Sequence, residues 1–278
     1  MRGKLRVMIL QGVAALVLGL TATPAGAHDF WLEFGPLAPQ PGAELSLSLW
    51  VGEDFAAHEQ KPMDLARTVA LRHVTVSGDE DLRGAARDGA VPMHRLTLAQ
   101  PGGHLLAIER SPARIELRAR KFNRYLKHEG LGAVLAERKR SGERLRRGRE
   151  RYSRYLKAFV QVGAAADGVS MRVLGHRIEL VPERDLATLR AGERLVMQVR
   201  FDGAPLAGAQ VEAFVRGPSG APVGQMVTSD ATGRVTFAVD RGGAWLVRTV
   251  HMQRCTGCED AQWESFWTGY SFAAQGPS

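Results

Sequence analysis

The chain has 278 residues, 37 Lys and Arg against 29 Asp and Glu, a formal charge of +8, and 45% hydrophobic residues. That apolar content excludes a disordered chain, which cannot bury enough surface to offset its ordering entropy. Two cysteines exclude a disulfide scaffold, and the length allows one large domain or two ordinary ones.

The first 27 residues read as an address. Arg2, Lys4 and Arg6 form a basic start, and residues 7–20 are an apolar run of fourteen, shorter than the ~20 a membrane span needs. Residues 21–27 (TATPAGA) place Ala25 and Ala27 at the small-residue positions of a cleavage site. The expectation is a secretory signal peptide over 1–27 and a periplasmic protein beginning at His28. The residue directly after the cleavage site is not cysteine, which argues against lipid anchoring. A histidine at a free N-terminus offers its α-amine and ring nitrogen as one chelate, donors that suit nickel, cobalt, copper or zinc. The alternative is that the cleavage site merely precedes a histidine.

Residues 28–117 are β-rich. Residues 43–51 (AELSLSLWV) alternate Leu45, Leu47 and Leu49 with small or polar partners, the period of a half-buried strand. Further strands are expected over 69–76, 94–98, 104–109 and 114–117, with Pro101-Gly102-Gly103 as a turn signal. Residues 118–158 lack proline and are rich in helix formers. Phe122, Tyr125 and Leu126 recur at helical spacing, and so do Tyr152, Tyr155, Leu156 and Phe159, so two or three short helices are expected there. Strands return over 176–181, 193–201, 209–215, 234–239, 244–251 and 263–272. The run from Gly192 to Val247 resembles a transthyretin-like or carboxypeptidase-regulatory-like sandwich in its Gly-Ala-Pro-Leu-Ala-Gly-Ala step and Asp-Ala-Thr-Gly turn. The expected fold is mainly β: two β-sandwich domains (Ig-like or transthyretin-like) over 28–117 and 161–278, joined by a basic helical segment over 118–160.

The charge is unevenly placed. Residues 118–157 hold fifteen Lys or Arg and four Glu, a local +11, and the leader holds +3, so the β regions carry −6. An exported protein has no nucleic-acid partner to meet. The basic segment is either a solvated face or a surface for an acidic partner, anionic lipid headgroups or lipopolysaccharide phosphates.

Eight histidines stand at 28, 58, 73, 94, 104, 128, 176 and 251, none in a local zinc motif. There is no Gly-x-Ser-x-Gly elbow, no Ser-x-x-Lys and no phosphate-cradling glycine loop, so no enzyme is expected. His251, Cys255 and Cys258 form His-x₃-Cys-x₂-Cys, read either as a local disulfide or as a soft-metal pair.

Five segments in order and spacing carry a wider resemblance: HDFWLE at 28–33, KFNRYLKHEGL at 121–131, RERYSRYLKAFVQVG at 149–163, GHRIELVP at 175–182 and WESFW at 263–267. Together they resemble a bacterial periplasmic family of unknown function associated with nickel and cobalt uptake, described as NikK-like or as containing a nickel-binding domain. The resemblance spans nearly the whole mature chain; the cysteine pair departs from the family pattern. It implies His28 as a metal ligand, with His104, His58 and His251 as completing candidates. It also implies a membrane transporter or TonB-type receptor components as partners. The leading expectation is a periplasmic protein that buffers or delivers nickel or cobalt. The alternatives are an envelope module binding a glycan or protein, and a copper oxidase built on the N-terminal histidine.

Overall fold

The structure, a computed structural model, describes residues 29–163, 166–217 and 221–276. The expected leader over 1–27 and His28 lie outside the described residues.

Alternation of apolar residues builds the first layer. β1 (Asp29–Gly35) contributes Leu32 and Phe34 to a core cluster, and β2 (Ala43–Glu53) contributes Leu45, Leu47 and Leu49. The other strands of this half are β3 (Ala56–Lys61), β4 (Thr68–Thr75), β5 (Gly78–Asp81), β6 (His94–Leu98) and β7 (Gly102–Leu117). Helices α1 (Ala119–His128) and α2 (Gly132–Arg140) follow, and then the long strand β8 (Gly148–Val162). The chain continues through β9 (Ile178–Pro182), β10 (Arg194–Phe201), β11 (Ala204–Pro205), β12 (Gln210–Arg216) and β13 (Val223–Thr228). It ends with β14 (Arg234–Ala238), β15 (Gly243–Arg254) and β16 (Trp263–Ala274).

These strands form three sheets. In the first, β2 pairs with β1 along one edge and with β3 and β6 along the other. A second small sheet runs β11-β10-β14, with β9 also on β10. The third has eight strands in the order β13-β12-β15-β16-β8-β7-β4-β5. Its pairings are antiparallel except β16 with β8, which is parallel.

Successive side chains of a strand face opposite sides, and the core clusters follow that rule. Leu106, Ile108, Leu156, Ala158 and Val160 pack with the first sheet, whereas Leu105 and Phe159 pack with β9, β10 and β14. The two small sheets therefore cover opposite faces of the eight-stranded sheet, in three layers. Strands from residues 68–117 and from 210–274 share the central sheet, an arrangement that two sandwiches joined by a linker do not describe.

The helical expectation over 118–160 needs a correction. Residues 119–128 and 132–140 are helical, but 148–162 are a central strand. A strand covered on both faces loses its period of two, because apolar side chains are needed on each side. Tyr155 and Phe159 face one small sheet and Leu156 the other, so their helix-like spacing is a product of two-sided burial.

α1 does follow its periodicity. Phe122, Tyr125 and Leu126 form one buried face, which packs with Val250, Met252, Trp263 and Trp267 of β15 and β16. The start of β8 comes close enough that a Cβ on Gly148 would lie 2.2 Å from Phe122 Cδ1, so only glycine fits there. The helices thus lie beside the first sheet on the same face of the central one, with a cleft between.

Candidate functional site

The floor of that cleft is Arg248, a charge in the otherwise apolar centre of β15. Its side chain is 5% exposed and meets three carboxylates. Nε lies 2.9 Å from Asp29 Oδ1, one terminal nitrogen donates to Glu129 Oε2 at 2.7 Å, and the other lies 2.5 Å from Glu212 Oε2. Asp29 comes from β1, Glu129 from the end of α1 and Glu212 from β12, so one guanidinium ties the first sheet and the helix to the central sheet.

Burial raises the Asp29 carboxyl to about 7, with Arg248 opposing and Glu129 and Glu212 adding to the rise. One guanidinium cannot neutralise three carboxylates, so the cluster holds a proton near neutral pH. Burial would also raise Glu129, but His128 and Arg248 outweigh it and hold Glu129 below the usual range. His128 Nδ1 sits 3.1 Å from Glu129 Oε1, and that hydrogen bond raises the imidazole.

The rim is a tight hairpin. Asp54 and Phe55 join β2 to β3 with φ of 51° and 65°, the φ signature of a type I′ turn usually made by Asn-Gly. A bulky residue at positive φ is an outlier, and packing holds it here. Phe55 is buried, meets Trp31 edge-on at 5.3 Å and lies under the Arg216 guanidinium at 4.1 Å. The Asp54 backbone N–H donates to Asp29 Oδ2 at 3.2 Å. Gly52 makes the approach feasible, since a Cβ there would fall 1.9 Å from the Ala56 carbonyl oxygen.

Between hairpin and helix lies a pocket of about 400 Å³. Asp29, Glu53 and Asp54 line one side; Lys121, Arg124, Tyr125 and His128 line the other. Behind Tyr125 is Glu150, fully buried, which accepts hydrogen bonds from the Tyr125 and Ser265 hydroxyls. Burial lifts this carboxyl to about 7 against those two bonds. A carboxyl raised in the fold favours folding below its unfolded pKa and loses that contribution as pH rises through the folded value. Stability should therefore fall between about pH 5 and pH 8.5, Glu150 accounting for roughly 3 kcal/mol at most. Glu150→Gln should remove that share of the slope and leave the part due to Asp29. Urea titrations of both proteins at the two pH values check this, and parallel slopes would contradict it.

The candidate histidines among the described residues, His58, His104 and His251, do not come together. His58 is exposed on β3, at the same end of the first sheet as Asp29, because Gly52 pairs with both Asp29 and Ala57. Two strand spacings, about 10 Å, separate β1 from β3. His104 is buried and committed elsewhere: its Nε2 faces the Gln100 carbonyl at 3.0 Å and its Nδ1 faces His73 Nε2 at 2.8 Å. A carbonyl only accepts, so His104 Nε2–H donates to it and Nδ1 accepts from His73. His251 lies on the opposite face of the central sheet from Arg248, with its ring 4.4 Å from that of Phe201. Cys255 and Cys258 are joined in a disulfide just past β15. Among the described residues there is no group of three or more His, Cys, Asp or Glu arranged to hold a metal ion.

Arg248, Glu129, Glu212 and His128 were not among the residues that sequence reasoning picked out. Arg248 carried a readable signal, since a lone charge in Trp-Leu-Val-Arg-Thr-Val demands a buried partner. Its three partners are 36 or more residues away along the chain and carried none.

A family model described as a domain of unknown function (DUF4198) matches residues 25–253. No curated protein matches the chain. Among solved structures, the D0-D1 domain of Intimin is similar at 9% identity, covering 88% of this chain and 97% of that one, with a TM-score of 0.19. Three N-terminal domains of the bacteriophage RB49 Highly Immunogenic Outer Capsid protein (Hoc) give 8% identity, 90% and 59% coverage and a TM-score of 0.19. Likenesses that loose carry no argument about architecture or activity.

Proposed function

We propose that this chain, which belongs to the DUF4198 family, is an exported protein that binds a divalent transition-metal ion, nickel or cobalt foremost, beside Asp29. In this reading it buffers the ion or hands it to an uptake system such as a membrane transporter or TonB-type receptor. The supporting observation is the fixed position of Asp29, which is 3% exposed, paired with Arg248 and held by the Asp54 N–H at the pocket. Cleavage after Ala27 makes the next residue, His28, the chain's first, bonded directly to that anchored aspartate. Its amine and imidazole supply two nitrogen donors. His128 supplies an imidazole from α1 and Asp54 a carboxylate from the hairpin, with His58 a further candidate. Such a mixed nitrogen and oxygen set suits nickel, cobalt, copper or zinc. The Arg248 cluster would act as the outer support that keeps the ligand-bearing strand and helix in place.

Protons compete with metal for the same nitrogens. Because Glu129 raises the His128 pKa, affinity should decline on moderate acidification. The test is calorimetry with Ni(II) and Co(II) on three proteins: the chain beginning at His28, the same chain with one glycine before it, and His128→Ala. The first should bind at least about tenfold more tightly than either of the others, the loss expected from removing one ligand or its support. Equal affinities in all three would refute the site.

A further inference from the structure

The basic segment found in the sequence is not an evenly solvated face. Its acids are committed to ion pairs or buried, and most of its cations over 118–147 face outward. Glu129 is spent on Arg248, and Glu137 and Glu143 both pair with Arg254. Arg120, Lys139, Arg140, Arg144 and Arg146 are exposed and have no acidic partner among the described residues.

The loop after α2 is built to hold that display. Arg138 is fully buried, stacks over Phe122 at 4.8 Å, and donates to the backbone carbonyls of Glu143 and Arg146, both at 2.8 Å. Asn123 accepts from Arg138 and donates to the Arg144 carbonyl at 2.8 Å. Pinned from inside in this way, the loop presents Leu145 at 90% exposure, between Arg144 and Arg146. Arg120, Lys139, Arg144 and Leu145 line one open groove of about 590 Å³. Among the described residues Leu145 is the most exposed of the large apolar side chains, and it stands among these cations.

We propose that this groove and loop dock the protein on an anionic membrane surface, with the cations on lipid phosphates and Leu145 in the headgroup–acyl boundary. Charge complementarity is the argument for a lipid surface. Several unpaired Lys and Arg side chains each gain from an anionic leaflet, and a single apolar tip adds shallow insertion. A purely acidic protein partner would use the cations and leave Leu145 without a role. The pocket beside Asp29 shares α1 with this surface through Lys121 and Arg124, so docking would bring the pocket close to the membrane.

The test uses the chain from His28 onward, which carries every described element of the fold. Flotation is measured with vesicles of phosphatidylcholine alone and with about one quarter phosphatidylglycerol. The chain should float with the anionic vesicles only and be released by high salt. Lys139→Glu/Arg144→Glu should lower partitioning at least about tenfold, each cation being worth roughly a fivefold factor near the surface. Arg87→Glu/Arg172→Glu, the same charge change on exposed residues elsewhere, should leave partitioning nearly unchanged. Leu145→Ser should weaken it about threefold or more without altering its response to salt. Thermal unfolding of each variant confirms the fold. Equal loss in the two charge pairs would reduce the effect to net charge and overturn the proposal. So would equal binding to neutral vesicles, or no binding to anionic ones, which would leave the surface to an acidic protein.

Discussion

Arg248→Leu should destabilise the protein by about 3–5 kcal/mol near pH 7.5, the range for removing one partner of a buried ion pair. The residue is 5% exposed and faces Asp29, Glu129 and Glu212, so its loss leaves Asp29 and Glu212 buried without a cation and Glu129 with His128 alone. The sign of the pH dependence follows from the carboxyls. Without Arg248 all three folded pKa values rise, Glu129 from its lowered position and the other two further still, and the fold escapes repulsion by taking up protons. The penalty therefore develops above the unfolded carboxylate range and shrinks as pH falls toward it. Denaturant titrations near pH 5 and pH 7.5 should show a clearly smaller loss at the lower value. Arg248→Lys should fall between, because one ammonium cannot reach three acceptors in the planar fork that a guanidinium offers. A loss under about 1 kcal/mol, or one independent of pH, would mean that the cluster does not clamp the first sheet and α1 to the central sheet. The same substitution should weaken Ni(II) binding under the proposed function, since Asp29 loses its anchor.

The sequence made legible those elements whose burial is one-sided. β2 shows its leucines at every second position, and α1 shows Phe122, Tyr125 and Leu126 on one face. β8 was illegible for a physical reason: small sheets cover both its faces, so its apolar residues follow no single period, and Arg and Lys among them imitate a solvated helix. Arg154 stacks over Phe30 at 3.8 Å and Lys157 pairs with Glu179, so these are interior cations and not surface ones. The +11 of residues 118–157 thus divides between buried ion pairs and an outward basic face. The site was legible only in its covalent part. The Ala27–His28 junction drew attention to the N-terminal end of the first strand, where the pocket lies. His104 and His251 lie apart from the pocket because convergence depends on which face of which sheet each strand presents. His104 and His251 stand on opposite faces of the central sheet, a fact set by the registers that link β7 through β8 and β16 to β15 and not by any local pattern.

The second large effect is expected at Lys157, on the other face of the central sheet. Its side chain is 0% exposed, its ammonium lies 2.8 Å from Glu179 Oε1 on β9, and the Tyr270 ring lies 4.9 Å away. Lys157→Met should cost about 3 kcal/mol, the low end for a broken buried pair, because the Leu174 and Gly175 N–H groups still hold Glu179. Glu179→Gln should cost a similar amount near neutral pH. Combining Lys157→Met with Glu179→Gln should cost at least about 2 kcal/mol less than the two single losses together, since no unpaired charge remains. Burial lowers the Lys157 pKa and Glu179 pulls it back. In Glu179→Gln the ammonium loses that support and its folded pKa drops further. A base depressed in the fold penalises folding below its folded pKa, and the penalty disappears as pH rises toward the unfolded value. The Glu179→Gln loss should therefore shrink between about pH 7 and pH 9.5, whereas the Arg248→Leu loss shrinks toward acid. Opposite pH trends from two buried clusters on opposite faces would separate the clamp on the first sheet and α1 from the clamp on the second small sheet. A Glu179→Gln loss that stays constant with pH would mean that Lys157 keeps its charge without its partner, and that the pair holds β9 by packing alone.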